Sequence, residues 1–285
     1  MDFAVFMEKI GLCPEGVEIF NNLHQRIADP AFCDAVDRGF QAFDAGDEAC
    51  ASFLVDFAAE QNVSVEAANM YLYFRMLART YEFYQEKGIS DDVFYETMKT
   101  FAWQCTTCLE RTGRYGIAQE TYRPWYRRHI LGTIYRLGRL EFEIFEGLYD
   151  FVLDGYTIKK GDTCIYVHIP GGTPLDEAEC DVAYNNARKF FKEYFQLDPV
   201  VFFCGSWLLH PWMQEVLPES SRIIKFQKRF QLVEIIQDEP VIRRWLFDRS
   251  EAPLDELQAT TSLHKAALFR LKNGLPIGYA RGYHF

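Results

Sequence analysis

Two apolar stretches each carry a row of side chains able to do acid–base or nucleophilic chemistry. In residues 163–172, TCIYVHIPGG, an extended backbone puts Ile165, Val167 and Ile169 on one face. Cys164, Tyr166 and His168 then share the other face, where the chain turns at Pro-Gly-Gly. In residues 199–211, PVVFFCGSWLLHP, an inward row ends in Cys204 and Ser206, and His210 follows. Side by side, the two strands would turn His168 and Cys204 into one crevice. Cys204 or Ser206 with His168 would make a nucleophile–base pair. His168 or Glu143, the latter in a run with Glu141, would instead take a proton from an amine. The plain alternative is a hydrogen-bonded core histidine beside a small buried thiol. Ser206 has no G-x-S-x-G elbow around it, since Gly205-Ser206-Trp207 lacks the second glycine.

Other motifs point less sharply. Glycines before a helix can offer N–H groups to a phosphate, but Asp176, Glu177 and Glu179 follow Gly171 and Gly172 and would repel one. There is no G-x-G-x-x-G and no P-loop lysine. Cys105 and Cys108 form a C-x-x-C with no second Cys/His pair nearby, so they read as buried thiols on a helix rather than metal ligands. The basic run at 122–140 holds Arg123, Arg127, Arg128, Arg136 and Arg139 among Tyr122, Trp125, Tyr126 and Tyr135. It reads as a phosphate cradle or as a cationic seam that docks on an acidic partner.

The elements that hold these residues follow from periodicity. Residues 1–120 read as five or six helices: 1–10, 14–28, a run from Asp29-Pro30, one capped by Asp47, one from Ser64 to Gly88 and one from Ser90 to Gly113. From Leu137 the period becomes two, with Leu140, Phe142 and Ile144 alternating with Arg139, Glu141 and Glu143. A strand at 156–159 leads to the strand of His168. A helix from Leu175 to Phe195 follows, with Thr173 as cap and Pro174 in its first turn. Strands at 200–204, 223–236 (bulged) and 241–247, a helix over 254–271, a hairpin turn at Asn273-Gly274 and a strand at 276–285 complete the chain. The fold class is α+β, an all-α helical domain at 1–121 followed by a mixed-sheet domain at 122–285.

Charge and composition agree with two bodies. Residues 1–120 hold 20 Asp/Glu and 9 Lys/Arg, and the remainder holds 21 of each. The acidic first part argues against nucleic acid or an anionic membrane as partner. No apolar run has transmembrane length, the N-terminus lacks the features of a signal peptide, and eight unpaired cysteines fit a cytoplasmic protein with reduced thiols.

VHIPGG at 167–172, FFCGSWLL at 202–209, SRIIKFQKRF at 221–230 and RLGRLEFE at 136–143 resemble a bacterial group of acyltransferase-domain proteins. These pair a helical N-acyltransferase N-terminal domain with a GNAT-like C-terminal domain, and the likeness covers nearly the whole chain. It implies central strands that splay to admit the pantetheine arm of an acyl-CoA co-substrate. The acyl group then passes from CoA, or a carrier-protein thioester, to a small-molecule amine acceptor without a metal. His168 or Glu143 would be the base, and Tyr166 or Cys204 the proton donor to the thiolate. Ser206, Arg139, Gly171, Gly172 and His210 would be binding neighbours. The pattern departs from the family at two places. Gly205 stands where a His is expected before Ser206, and the pyrophosphate loop Q/R-x-x-G-x-G/A is absent. Phosphates would then have to meet the basic run or Arg222, Lys225, Lys228 and Arg229. A non-catalytic binding module on the same cleft and a thiol or serine hydrolase are the rival expectations.

Overall fold

The computed structural model describes residues 1–118, 124–153, 155–171, 174–247 and 251–285. The chain divides into two compact units, Met1–Arg136 and Leu137–Phe285.

The first unit is built on helices α1 (Phe3–Ile10), α2 (Pro14–His24), α3 (Pro30–Ala45), α4 (Asp47–Gln61), α5 (Val65–Lys87), α6 (Asp91–Thr112) and α7 (Pro124–Ile130), with a short strand β1 (Ile134–Arg136). Their ends follow the local chemistry. Ser64 accepts the Ala67 N–H, and Asp29 the Ala31 N–H, at 3.1 and 2.9 Å. Gly88 closes α5 in the left-handed region. The core of this unit is aromatic: Phe6, Phe74, Phe94 and Phe101 meet Tyr73 and Tyr84 at ring distances of 5.2–6.3 Å. Cys105 and Cys108 are buried here. No group of three or more metal-ligating side chains exists among the described residues.

The second unit holds β2 (Glu141–Glu146), β3 (Phe151–Leu153), β4 (Tyr156–Ile158), β5 (Thr163–His168), α8 (Glu177–Phe195), β6 (Phe202–Ser206), α9 (Trp212–Val216), α10 (Arg222–Gln227), β7 (Gln231–Gln237), α11 (Glu239–Phe247), α12 (Ser262–Lys272) and β8 (Gly278–His284). Within it the main strands run in the order β2-β5-β6-β8-β7. Neighbours are antiparallel except β5 and β6, which are parallel and joined through α8. One sheet face is covered by α8, whose Tyr184 packs on Phe142, Phe202 and His284 at 5.8, 4.9 and 4.8 Å. The opposite face carries the β3–β4 hairpin, with Phe151 stacked on Tyr283 at 5.3 Å. A separate apolar cluster around Trp212, Met213, Ile242 and Leu271 is formed by α9–α12.

The sheet class and the helical first unit agree with the sequence reading, and several elements differ. Residues 241–247 are helical, not extended: Asp238 accepts the Val241 N–H at 3.0 Å, and Pro240 occupies the first turn. Residues 223–236 divide into α10 and a shorter β7, bulged between Leu232 and Glu234. Helix α8 begins at Glu177, where Asp176 accepts the Ala178 N–H at 3.1 Å, and Thr173 lies outside the described residues. Between Leu254 and Leu271 a short 3-10 turn precedes α12, and Asn273-Gly274 closes α12 rather than a hairpin. No helix is long and apolar enough to cross a membrane among the described residues.

Candidate active site

The register fixes which side chains share a face. Glu143 pairs with Tyr166, Glu141 with His168, and Tyr166 with Phe203. Alternation then puts Glu141, Glu143, Tyr166, His168, Phe203 and Gly205 on the face away from α8. The same alternation turns Cys204 and Ser206 toward the α8 side. The expected shared crevice for His168 and Cys204 therefore does not form. The strands are neighbours as expected, but a residue's face depends on its phase against the partner, and Phe203 rather than Cys204 matches Tyr166.

Cys204 is 1% exposed on the α8 side, and burial pushes its thiol far above the usual range, so it stays an un-ionised thiol away from the face of His168. The Ser206 hydroxyl accepts the Leu208 N–H at 3.2 Å and caps the turn that follows β6. His210 is buried, and its Nδ1 accepts the Trp212 N–H at 3.2 Å. Burial, reinforced by Arg270, holds its imidazole below the usual range. Arg139, 7% exposed, donates through Nε to the Pro174 carbonyl at 2.9 Å and ties the turn before β2 to the segment before α8. Gly171 is an exposed turn residue with space around it, and Gly172 lies outside the described residues.

Three of the expected residues do converge. His168 Nε2 lies 2.8 Å from Glu143 Oε2, with the two side chains 15% and 13% exposed. A carboxylate only accepts, so it fixes the imidazole with Nε2–H as donor and Nδ1 as the basic nitrogen. The Tyr166 ring stacks on the imidazole with centroids 4.5 Å apart. Phe145 and Phe203 pack edge-on against that ring. Burial raises the Tyr166 phenol well above its usual range and keeps it protonated.

Backbone pairing stops beside this group. β5 and β6 are in register only at Ile165–Phe202 and Tyr166–Phe203, although β5 continues to His168 and β6 to Ser206. Past that point Gly205 finds no strand partner on its β5 side. The Tyr166 hydroxyl fills the position, donating to the Gly205 carbonyl at 2.9 Å and accepting its N–H at 3.1 Å.

A second polar group on this face escaped the sequence reading. Arg281, the register partner of Gly205, donates through Nη1 to Glu234 Oε2 and to the Tyr149 hydroxyl, each at 2.7 Å. Tyr149 also donates to Glu234, and with Arg281 it holds that carboxyl below the usual range.

Three of the basic residues considered for phosphates are ion-paired. Lys225 pairs with Glu177 at 2.7 Å, Arg229 with Asp181 at 2.6 Å and Lys228 with Glu219 at 3.7 Å. In the first unit, Arg127 donates to the Phe43 carbonyl at 2.9 Å and lies over its ring. Arg123 lies outside the described residues.

Residues 134–284 match the family model of the GNAT-like C-terminal domain, and residues 1–132 match that of the N-acyltransferase N-terminal domain. Among solved structures, an acyltransferase in complex with CoA and 10C-teicoplanin is 27% identical, with a TM-score of 0.66 over 78% of this chain and 67% of the other. An acyltransferase in complex with decanoyl-CoA and teicoplanin is 23% identical, with a TM-score of 0.72 over 98% and 85%. No curated protein matches the chain.

Proposed function

Because this chain belongs to the family of the GNAT-like C-terminal domain, we propose that its second unit transfers an acyl group from acyl-CoA to a small-molecule amine, with the Glu143–His168 pair as proton acceptor. The observation that carries the reading is the position of that pair beside a parallel strand pair that opens. The acyltransferase neighbours with CoA or acyl-CoA in their complexes support the co-substrate.

The thioester enters between β5 and β6 past Tyr166. The Gly205 N–H faces that gap, where it donates to the Tyr166 hydroxyl at 3.1 Å. The amine nitrogen attacks the carbonyl carbon and the C–S bond breaks. The amine proton passes to His168 Nδ1, and Glu143 stabilises the imidazolium. Tyr166, held protonated by burial, delivers a proton to the departing thiolate. No covalent enzyme intermediate forms, since neither Cys204 nor Ser206 faces the gap.

The paired state of Lys225, Lys228 and Arg229 favours one rival, a binding module that holds a ligand without CoA phosphates. One experiment separates the two. Calorimetry with free CoA and a series of acyl-CoAs, followed by thiol release with a panel of amines, should show binding and turnover. A His168→Ala variant should keep the binding and lose turnover by about 10²–10⁴. No heat with any of these thioesters would overturn the proposal.

A further inference from the structure

We propose that Tyr166 is a latch on the thioester channel: its hydroxyl holds the Gly205 ladder position that an incoming amide must take, and ligand binding releases it. The inference rests on the acyl-CoA reading above and adds a residue that sets affinity as well as proton delivery.

The argument starts from the backbone. In a parallel ladder, each strand offers its N–H and C=O groups to both neighbours at regular spacing. Between β5 and β6 the ladder begins with the Ile165 N–H on the Val201 carbonyl at 2.8 Å and ends two register pairs later. Past the end, Gly205 is the first residue of β6 after Phe203 whose N–H and C=O turn to the β5 side, and both point at the gap. Leaving them bare would cost the desolvation of two polar groups. One phenol hydroxyl satisfies both, at 3.1 and 2.9 Å. A ligand amide offers the same complement of one donor and one acceptor, as an added strand does at a sheet edge. The pantetheine arm of CoA carries such amides. It can therefore replace the hydroxyl bond for bond, but only after the hydroxyl has moved.

Glycine at 205 belongs to the device. A Cβ there would lie 2.7 Å from the Tyr166 hydroxyl oxygen, closer than the two atoms can approach. The family-like His expected at this position could not coexist with the hydroxyl on the strand. This chain has removed the side chain, and the hydroxyl occupies the space. Because the same ring stacks 4.5 Å over His168, release of the hydroxyl also alters the cover on the Glu143–His168 pair. Binding of the thioester and exposure of the base are thereby linked.

The test compares calorimetric binding of free CoA to the full-length protein and to Tyr166→Phe. Phenylalanine keeps the ring and its packing and leaves the Gly205 position open. The latch predicts that the variant binds CoA about three- to ten-fold more tightly, the equivalent of one net hydrogen bond no longer displaced, while turnover falls. Equal or weaker binding by a variant with an unchanged near-ultraviolet circular dichroism spectrum overturns the latch but leaves the acyl-CoA reading standing. No binding by either protein overturns both. A measurement independent of the substitution uses 3-fluorotyrosine placed at position 166. Its fluorine resonance should move on saturation with CoA, and a resonance that stays in place at saturation overturns the latch.

Discussion

The contact between Tyr166 and Gly205 can be weighed without any substrate, by a double-mutant cycle. Tyr166→Phe deletes the hydroxyl that donates to the Gly205 carbonyl at 2.9 Å and accepts its N–H at 3.1 Å. A half-buried peptide group that loses its partner costs about 1–3 kcal/mol. Gly205→Ala attacks the same contact from the other side. Its Cβ would stand 2.7 Å from the hydroxyl oxygen and 3.4 Å from Arg281 Cγ, so the hydroxyl must leave. The loss is again about 1–3 kcal/mol, offset by a few tenths because alanine loses less backbone entropy than glycine in a strand. Each change removes what the other would remove. In the double variant the new methyl occupies the space the hydroxyl has vacated, and the total should stay near that of one change. The interaction energy is then about 1–2 kcal/mol in the direction of a double variant more stable than the sum. Urea unfolding of the four proteins, followed by near-ultraviolet circular dichroism, supplies the numbers. Additivity within about 0.5 kcal/mol would refute the claim that the hydroxyl is seated on Gly205.

Two other consequences are open to measurement. His284, packed under the sheet against Tyr184, Phe202 and Phe230, has its pKa lowered from 6.5 to about 4 by burial first and then by Arg188 and Arg229. The unfolded chain therefore binds a proton that the folded chain refuses. Its contribution is complete above pH 6.5 and is lost as the pH falls toward 4, by about 3 kcal/mol in all. Urea titrations at several pH values should show that wild type loses this much more than His284→Gln, and parallel pH dependences would contradict the assignment. Cys204 should resist iodoacetamide in the native protein, and Cys204→Ala should turn over substrate at the wild-type kcat. Labelling of Cys204 before unfolding, or loss of turnover in that variant with binding retained, would return the thiol to the reaction.

Much of the site's local chemistry was legible in the sequence, and its pairing was not. Alternation along residues 163–168 put Tyr166 and His168 on one face because a strand's own period is two, whatever lies beside it. The phase between two strands is another matter. It is set by backbone pairing, and a one-residue difference turned Cys204 and Ser206 to the α8 side. The Tyr166–Gly205 contact spans 39 residues and involves a backbone group, which leaves no mark on residue type except the glycine itself. The Arg281–Tyr149 contact spans 132 residues. The misread helix at 239–247 shows the same limit at short range. Val241, Ile242, Trp245, Leu246 and Phe247 fit a buried strand as well as a helix by hydrophobicity, and only the Asp238 cap and Pro240 at the first turn decide between them.

The central claim is that the Glu143–His168 pair accepts the amine proton beside a thioester held between β5 and β6. The most direct measurement is CoA thiol release from a bound acyl-CoA in the presence of an amine acceptor, compared between wild type and His168→Ala at saturating thioester. The account predicts equal calorimetric affinity for the thioester and a kcat lower by about 10²–10⁴ in the variant. A variant that binds and turns over as wild type does would contradict it.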